Sequence, residues 1–137
     1  MSKREQVFID TSFFKAIIDA RDEFHTKASQ IWKRFEKENI IPVTSNYILD
    51  ETFTLIRVKC GVETAVKMRN LLVKSGVLKL VRVTVSDEAS AWKWFERDWS
   101  GLSFTDCISF GVMERLNIIN VATFDSHFSR AGFHVEK

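Results

Sequence analysis

Short β-branched runs alternate with longer helical patterns along the whole chain, and this alternation restricts the fold more than any other feature. The segments "QVFI", "IIPVT", "VLKLVRV", "NIINVAT" and "GFHVE" read as strands. Between them lie the helical patterns "TSFFKAIIDA", "DEFHTKASQIWKRFEKEN", "NYILDETFTLIRVKC", "VETAVKMRNLLVKS", "DEASAWKWFERD" and "DCISFGVMERL", with "SHFSRA" as a short helical turn. The second of these carries Phe24, Ala28, Ile31, Trp32 and Phe35 on one stripe. Such alternation predicts an α/β fold: a mainly parallel central sheet of about five strands, with helices on both faces. No linker, repeat or low-complexity tract interrupts it, so one domain is expected over residues 1–137.

Local signals mark the element ends. Asp22 is expected to cap the second helix, Ser45 the third, and Ser86 with Asp87 and Glu88 to open the fifth. Gly61 and Gly76 suit helix stops. Pro42 suggests an edge strand or a strand start.

Of the 137 residues, 45% are hydrophobic, enough for a core. No apolar run approaches the ~18 residues of a bilayer span, and "MSKREQ" precedes no apolar signal region. A cytoplasmic protein without a membrane partner is therefore expected. Cys60 and Cys107 lie far apart in apolar helical patterns and read as unbridged thiols. A net charge of +2 does not by itself announce a nucleic-acid binder.

In a parallel sheet with right-handed crossovers, all strand C-terminal ends share one edge, and ligands bind beyond it. Polar residues just after strands are therefore the informative ones. Asp10 follows the first strand and Asp125 the fourth. Glu51 lies in the second turn of the helix after "IIPVT", and Asp106 begins the helix that leads into "NIINVAT". At about 100° per residue, Asp50 shares a solvated face with Thr54 and Arg57, whereas Glu51 falls among Tyr47, Ile48, Leu55 and Val58 on the rim of the apolar stripe. Each acid also has an ordinary reading. Asp10 and Asp125 suit helix caps, Asp106 completes a capping box with Ser103, and Glu51 suits an ion pair with a neighbouring base.

Four carboxylates at one edge raise one another's pKa and destabilise a fold unless a cation neutralises them. An all-oxygen donor set suits Mg²⁺ or Mn²⁺ rather than zinc. His25, His127 and His134 are scattered; His127 reads as a surface or packing residue. A carboxylate-held Mg²⁺ polarises a phosphoryl oxygen and lowers the pKa of bound water, the chemistry of phosphodiester hydrolysis.

With those positions in hand, the chain resembles the PIN domains, and in particular the VapC-type toxin ribonucleases of prokaryotic toxin–antitoxin pairs. The resemblance rests on "FIDTSFF", "TSNYILDETFTLI", "LSFTDCISFGVME" and "ATFDSHF", in that order, over roughly residues 6 to 135. It implies a PIN-like fold and an acidic quartet at Asp10, Glu51, Asp106 and Asp125. It implies metal-dependent cleavage of single-stranded RNA, homodimers, and a VapB-type antitoxin partner. Thr11, Ser12 and Thr123 are expected to orient the carboxylates. Lys15, Arg57, Arg82 and Arg130 are candidates to carry RNA past an acidic pocket that repels it.

Other classes fit less well. A haloacid-dehalogenase-type phosphatase needs a second aspartate two residues after the first, where this chain has Ser12; a receiver domain needs paired acids at its first strand. An RNA-processing PIN nuclease that is not a toxin, or a PIN module that binds without cleaving, remains open. Among the aromatics of "AWKWFERDW", Trp94 and Trp99 are expected nearer the surface than Trp92.

Overall fold

The computed structural model describes residues 4–137. In chain order the elements are β1 (Gln6–Ile9), α1 (Thr11–Ile18), α2 (His25–Lys37), β2 (Ile41–Ser45), α3 (Asn46–Cys60), α4 (Val62–Ser75), β3 (Lys79–Val81), α5 (Val85–Phe95), α6 (Phe104–Leu116), β4 (Asn120–Ala122), α7 (His127–Arg130) and β5 (His134–Val135). The five strands form one sheet in the order β3-β2-β1-β4-β5, and every pairing is parallel. This is the predicted α/β architecture.

Burial explains why β1 reads as a continuous apolar run. Successive side chains of a strand point to opposite faces. Val7, Phe8 and Ile9 are nevertheless all fully buried, so both faces of the central strand are covered. The chain first builds outward from β1 through β2 to β3, then returns to place β4 and β5 on the other side. The reversal falls between β1 and β4. Their C-terminal ends are thus the switch point at which an α/β sheet opens a crevice.

α6 is the central helix: every residue from Asp106 to Met113 is buried. Gly111 lets it lie against α5, because a Cβ there would stand 2.9 Å from the Asp87 carbonyl oxygen. Nearby, Arg115 donates to both carboxylate oxygens of buried Asp87 at 2.8 and 2.9 Å. Burial alone would push the Asp87 carboxyl up, but the Arg115 guanidinium and the Thr84 amide outweigh it and hold the pKa below the usual range.

Several local expectations need correction. α2 starts at His25, three residues after Asp22, because Asp22 forms a turn instead, accepting from the Phe24 amide at 2.8 Å and from Lys15 at 3.1 Å. α5 starts before Ser86, since Thr84 and Asp87 form a reciprocal capping box. Pro42 lies at a strand start, as the second residue of β2, and not on an edge strand, since β2 sits between β1 and β3. Its neighbour Ile41 donates to Glu5 on the β1 side at 2.8 Å, so the Pro42 nitrogen faces β3, whose pairing begins only at Val43. The missing N–H is thereby harmless. Ser45 caps α3 as expected, accepting from the Ile48 amide at 3.2 Å. Gly61 (φ 93°, ψ 166°) turns α3 into α4 through a single residue; its φ is positive as expected, but the backbone is extended there instead of left-handed helical. Trp92 is 57% exposed while Trp94 and Trp99 are partly buried, the reverse of the expected order. Trp94 packs on Phe110 with its Nε1–H donated to Glu114 at 2.7 Å. Cys60 and Cys107 are free thiols.

Candidate active site

Asp10 is the residue at which β1 becomes α1. Its amide donates to the carbonyl of Ala122 at 3.1 Å, which holds it level with the end of β4. Its side chain does not cap α1. Instead Oδ2 accepts from Thr123 Oγ1 at 2.7 Å and from Ser12 Oγ at 2.9 Å. The same two hydroxyls accept the amides of Asp125 (3.0 Å) and Phe124 (2.9 Å), so the β4–α7 turn and the Asp10 carboxylate share one network. Asp10 is buried, and the loss of solvation raises its pKa to about 6, even though Thr123 and Ser12 pull it down.

Asp106 occupies the third position of α6 in a capping box: Ser103 Oγ accepts its amide at 3.0 Å, and its Oδ2 accepts the Ser103 amide at 3.2 Å. The cap reading holds for this residue, and the cap is what fixes the carboxylate in place. Burial, and then the charges of Asp10 and Asp125, raise its pKa to about 7. Asp10, Asp106 and Asp125 therefore feel one another's charge.

Asp125 follows β4 and accepts the His127 amide through Oδ1 at 2.8 Å. That turn swings the imidazole inward. His127 Nδ1 stands 2.9 Å from Asp125 Oδ1 and 3.5 Å from Asp106 Oδ2. One donor atom from each of Asp106, Asp125 and His127 lies within 4.8 Å of the others. His127, read from sequence as a packing or surface residue, does pack, its ring stacked on Trp99, and it also turns Nδ1 to the two acids. The signal was its spacing: two residues after a strand-end aspartate, one Asx turn brings the ring back over the carboxylate.

Glu51 is half-buried on α3 and makes no side-chain hydrogen bond or ion pair among the described residues. It is not part of the tight Asp106–Asp125–His127 group. Its neighbour Thr52 donates to Thr11 Oγ1 at 3.3 Å, tying α3 to α1 one residue from Asp10. The Thr11 side chain is thus engaged with α3 and, among the described residues, makes no hydrogen bond to a carboxylate of the site, unlike Ser12 and Thr123. Lys15 is committed to ion pairs with Asp19 and Asp22 at 2.7 and 3.1 Å, which removes it as a free cation for RNA. Arg57 and Arg82 are exposed. Exposed Arg130 lays its guanidinium over Trp99, 4.4 Å from the ring centroid, and Trp99 in turn stacks on His127.

The residues fit a divalent cation. Clustered carboxylates with raised pKa values are short of positive charge, and His127 Nδ1 is a buried polar atom with no hydrogen-bond partner. A small cation among them answers both deficits.

A parallel five-stranded sheet with acids gathered at its switch point defines the class. The PIN domain family model matches residues 7–134, and the chain belongs to that family. Among individual proteins, it is 39% identical over 128 residues to the 23S rRNA-specific endonuclease VapC20 of Mycobacterium tuberculosis, covering 93% of this chain and 95% of the relative. The crystal structure of that VapC20, a sarcin–ricin loop cleaving toxin, superposes with a TM-score of 0.83 at 36% identity, again over 93% of this chain and 95% of that one. A VapC ribonuclease of Archaeoglobus fulgidus is 31% identical over 131 residues, 88% of this chain and 78% of the relative.

Proposed function

We propose that this protein is a divalent-metal-dependent endoribonuclease, the toxin of a VapBC-type pair. The observation that carries the reading is the convergence of Asp10, Asp106 and Asp125 at the β1/β4 switch point, with two of the three held at raised pKa for want of a cation. The names of the similar proteins support RNA as substrate, and a ribosomal RNA loop is the first one to try.

Asp10, Glu51, Asp106 and Asp125 hold one or two Mg²⁺ or Mn²⁺ ions. When bound, such an ion polarises a phosphoryl oxygen and lowers the pKa of coordinated water. Ser12 and Thr123 orient the Asp10 carboxylate through its Oδ2. The Ser103 cap fixes the Asp106 carboxylate through Oδ2, the oxygen that also stands 3.5 Å from His127 Nδ1. Arg57, Arg82 and Arg130 counter the repulsion between RNA and the acids, Arg130 being linked to His127 through its Trp99 stack. A VapB-type antitoxin and a second copy of the chain are the protein partners this reading entails, and the cytoplasm is where it places them. Among the described residues no helix is long and apolar enough to cross a membrane.

The test is cleavage of unstructured RNA and of a ribosomal RNA hairpin by metal-stripped protein with Mg²⁺ or Mn²⁺ restored. Cleavage should require the ion and vanish in Asp10→Asn. Full activity in the presence of a chelator, or in that variant, overturns the reading. Ion binding without cleavage of either RNA would point instead to a PIN module that only binds.

A further inference from the structure

The acidic quartet leaves one group at the site unexplained. His127 is largely buried, its ring stacks on Trp99 with planes 12° apart, and its Nε2 stands 2.8 Å from the Ser100 carbonyl oxygen. A carbonyl only accepts, so Nε2 carries a proton, and in the neutral ring Nδ1 presents its lone pair. That lone pair is turned toward the oxygens of Asp125 and Asp106, at 2.9 and 3.5 Å. Although the first distance is short, Nδ1 has no hydrogen-bond partner. The contact has the length of a hydrogen bond without the alignment of one.

Asp125 Oδ1 already accepts the His127 amide and Asp106 Oδ2 the Ser103 amide, and each oxygen keeps lone-pair capacity beyond that bond; three donor atoms within 4.8 Å of one another suit a shared metal ion. His127 Nδ1, at 2.9 Å from Asp125 and 3.5 Å from Asp106, is near enough to both for the three residues to share one small ion. The rear of the ring is fixed as in a metal-bound histidine, with the distal N–H given to a backbone carbonyl. Trp99 and the Ser100 carbonyl set the ring's plane before any ion arrives.

We propose that His127 Nδ1 is a direct ligand to the divalent ion, together with Asp106 and Asp125, so that the site has a mixed nitrogen and oxygen donor set. Mg²⁺ takes oxygen ligands by preference, and an imidazole shifts selectivity toward a first-row transition ion such as Mn²⁺. Trp99 and Ser100 are positioning residues that act through the ring. This inference rests on the metal-site reading above, and the experiment separates the two.

The experiment is pulsed electron paramagnetic resonance on Mn²⁺-loaded, tag-free protein, with and without ¹⁵N-labelled histidine. One imidazole ¹⁴N coupling is expected, converted to ¹⁵N by the label, lost in His127→Phe and retained in His25→Gln and His134→Gln. His127→Phe should also weaken Mn²⁺ binding by ~10-fold or more and lower the Mn²⁺-to-Mg²⁺ affinity ratio. Bound Mn²⁺ that is lost in Asp106→Asn but shows no histidine coupling in the wild type overturns the inference alone. Failure of the wild type to bind Mn²⁺ overturns the metal site itself. Because the wild-type spectrum decides the ligand, the outcome does not depend on the variant folding.

Discussion

Thr123 Oγ1 donates to Asp10 Oδ2 at 2.7 Å, joining the ends of β4 and β1 across 113 positions of sequence. The bond ties a charge to the sheet edge at the point where chain order reverses. Replacing Thr123 with valine keeps the shape and removes the donor. The Asp10 pKa, already raised to about 6, should rise further, since one of the two hydroxyls that lower it is gone. The acid limb of the pH–rate profile should move to higher pH, and melting above pH 7 should show a loss of about 1.5–3 kcal/mol for a lost bond to a charge. An unmoved acid limb would show that Thr123 does not act through Asp10.

Asp10 and Asp106 make metal-free stability depend on pH in a defined direction. Their folded pKa values, about 6 and about 7, lie above the ordinary 3.8. Between those limits the folded state binds protons that the unfolded chain has released, so stability falls as pH rises. The fold is least strained below about pH 4, and carries the full penalty above pH 7. Metal-free melting temperature should therefore drop from pH 5 to pH 8, and Asp106→Asn should flatten the drop. Asparagine keeps the acceptor for the Ser103 amide, so this variant should gain up to roughly 4 kcal/mol at pH 8 without metal. Asp106→Ala should gain less, because it also loses the cap.

Arg115→Ala tests a different kind of charge. It strands the Asp87 carboxylate, 1% exposed, without its guanidinium. A cost of roughly 3–5 kcal/mol is expected, the same with and without divalent ions. A metal-dependent cost would mean that this pair communicates with the site.

Much of the fold was legible because its signals are local. Alternating patterns gave the elements in order, and the alternation of strands with helices implied a sheet covered on both faces. Of the four acids singled out, Asp10, Asp106 and Asp125 lie near one another because topology puts two strand ends and the start of α6 at one edge. What escaped was set by tertiary contacts. Trp94 is drawn in by Phe110 and Glu114 on α6, which its own helical pattern does not contain. Pro42 is tolerated inside the sheet because β3 is short. His127 reaches the acids only through a turn held by Asp125 and the wall made by Trp99 and Ser100. Lys15 read as a free base and is neutralised by two aspartates of the following turn.

Glu51 offers a clean separation of binding from stability. It has no hydrogen bond or ion pair to lose among the described residues, so Glu51→Gln should melt as the wild type does. As a metal ligand it should nevertheless weaken Mn²⁺ binding by ~10-fold or more and slow RNA cleavage accordingly. Unchanged affinity would remove Glu51 from the site and leave the ion to Asp10, Asp106, Asp125 and His127.

The most direct measurement is calorimetric titration of metal-free protein with Mn²⁺ at pH 7.5, comparing wild type with the Asp10→Asn, Asp106→Asn double variant. If acids brought together at the β1/β4 edge hold the ion, the wild type saturates and releases protons, while the double variant, folded and more stable without metal, shows no heat of binding. Equal binding by both proteins would contradict the account.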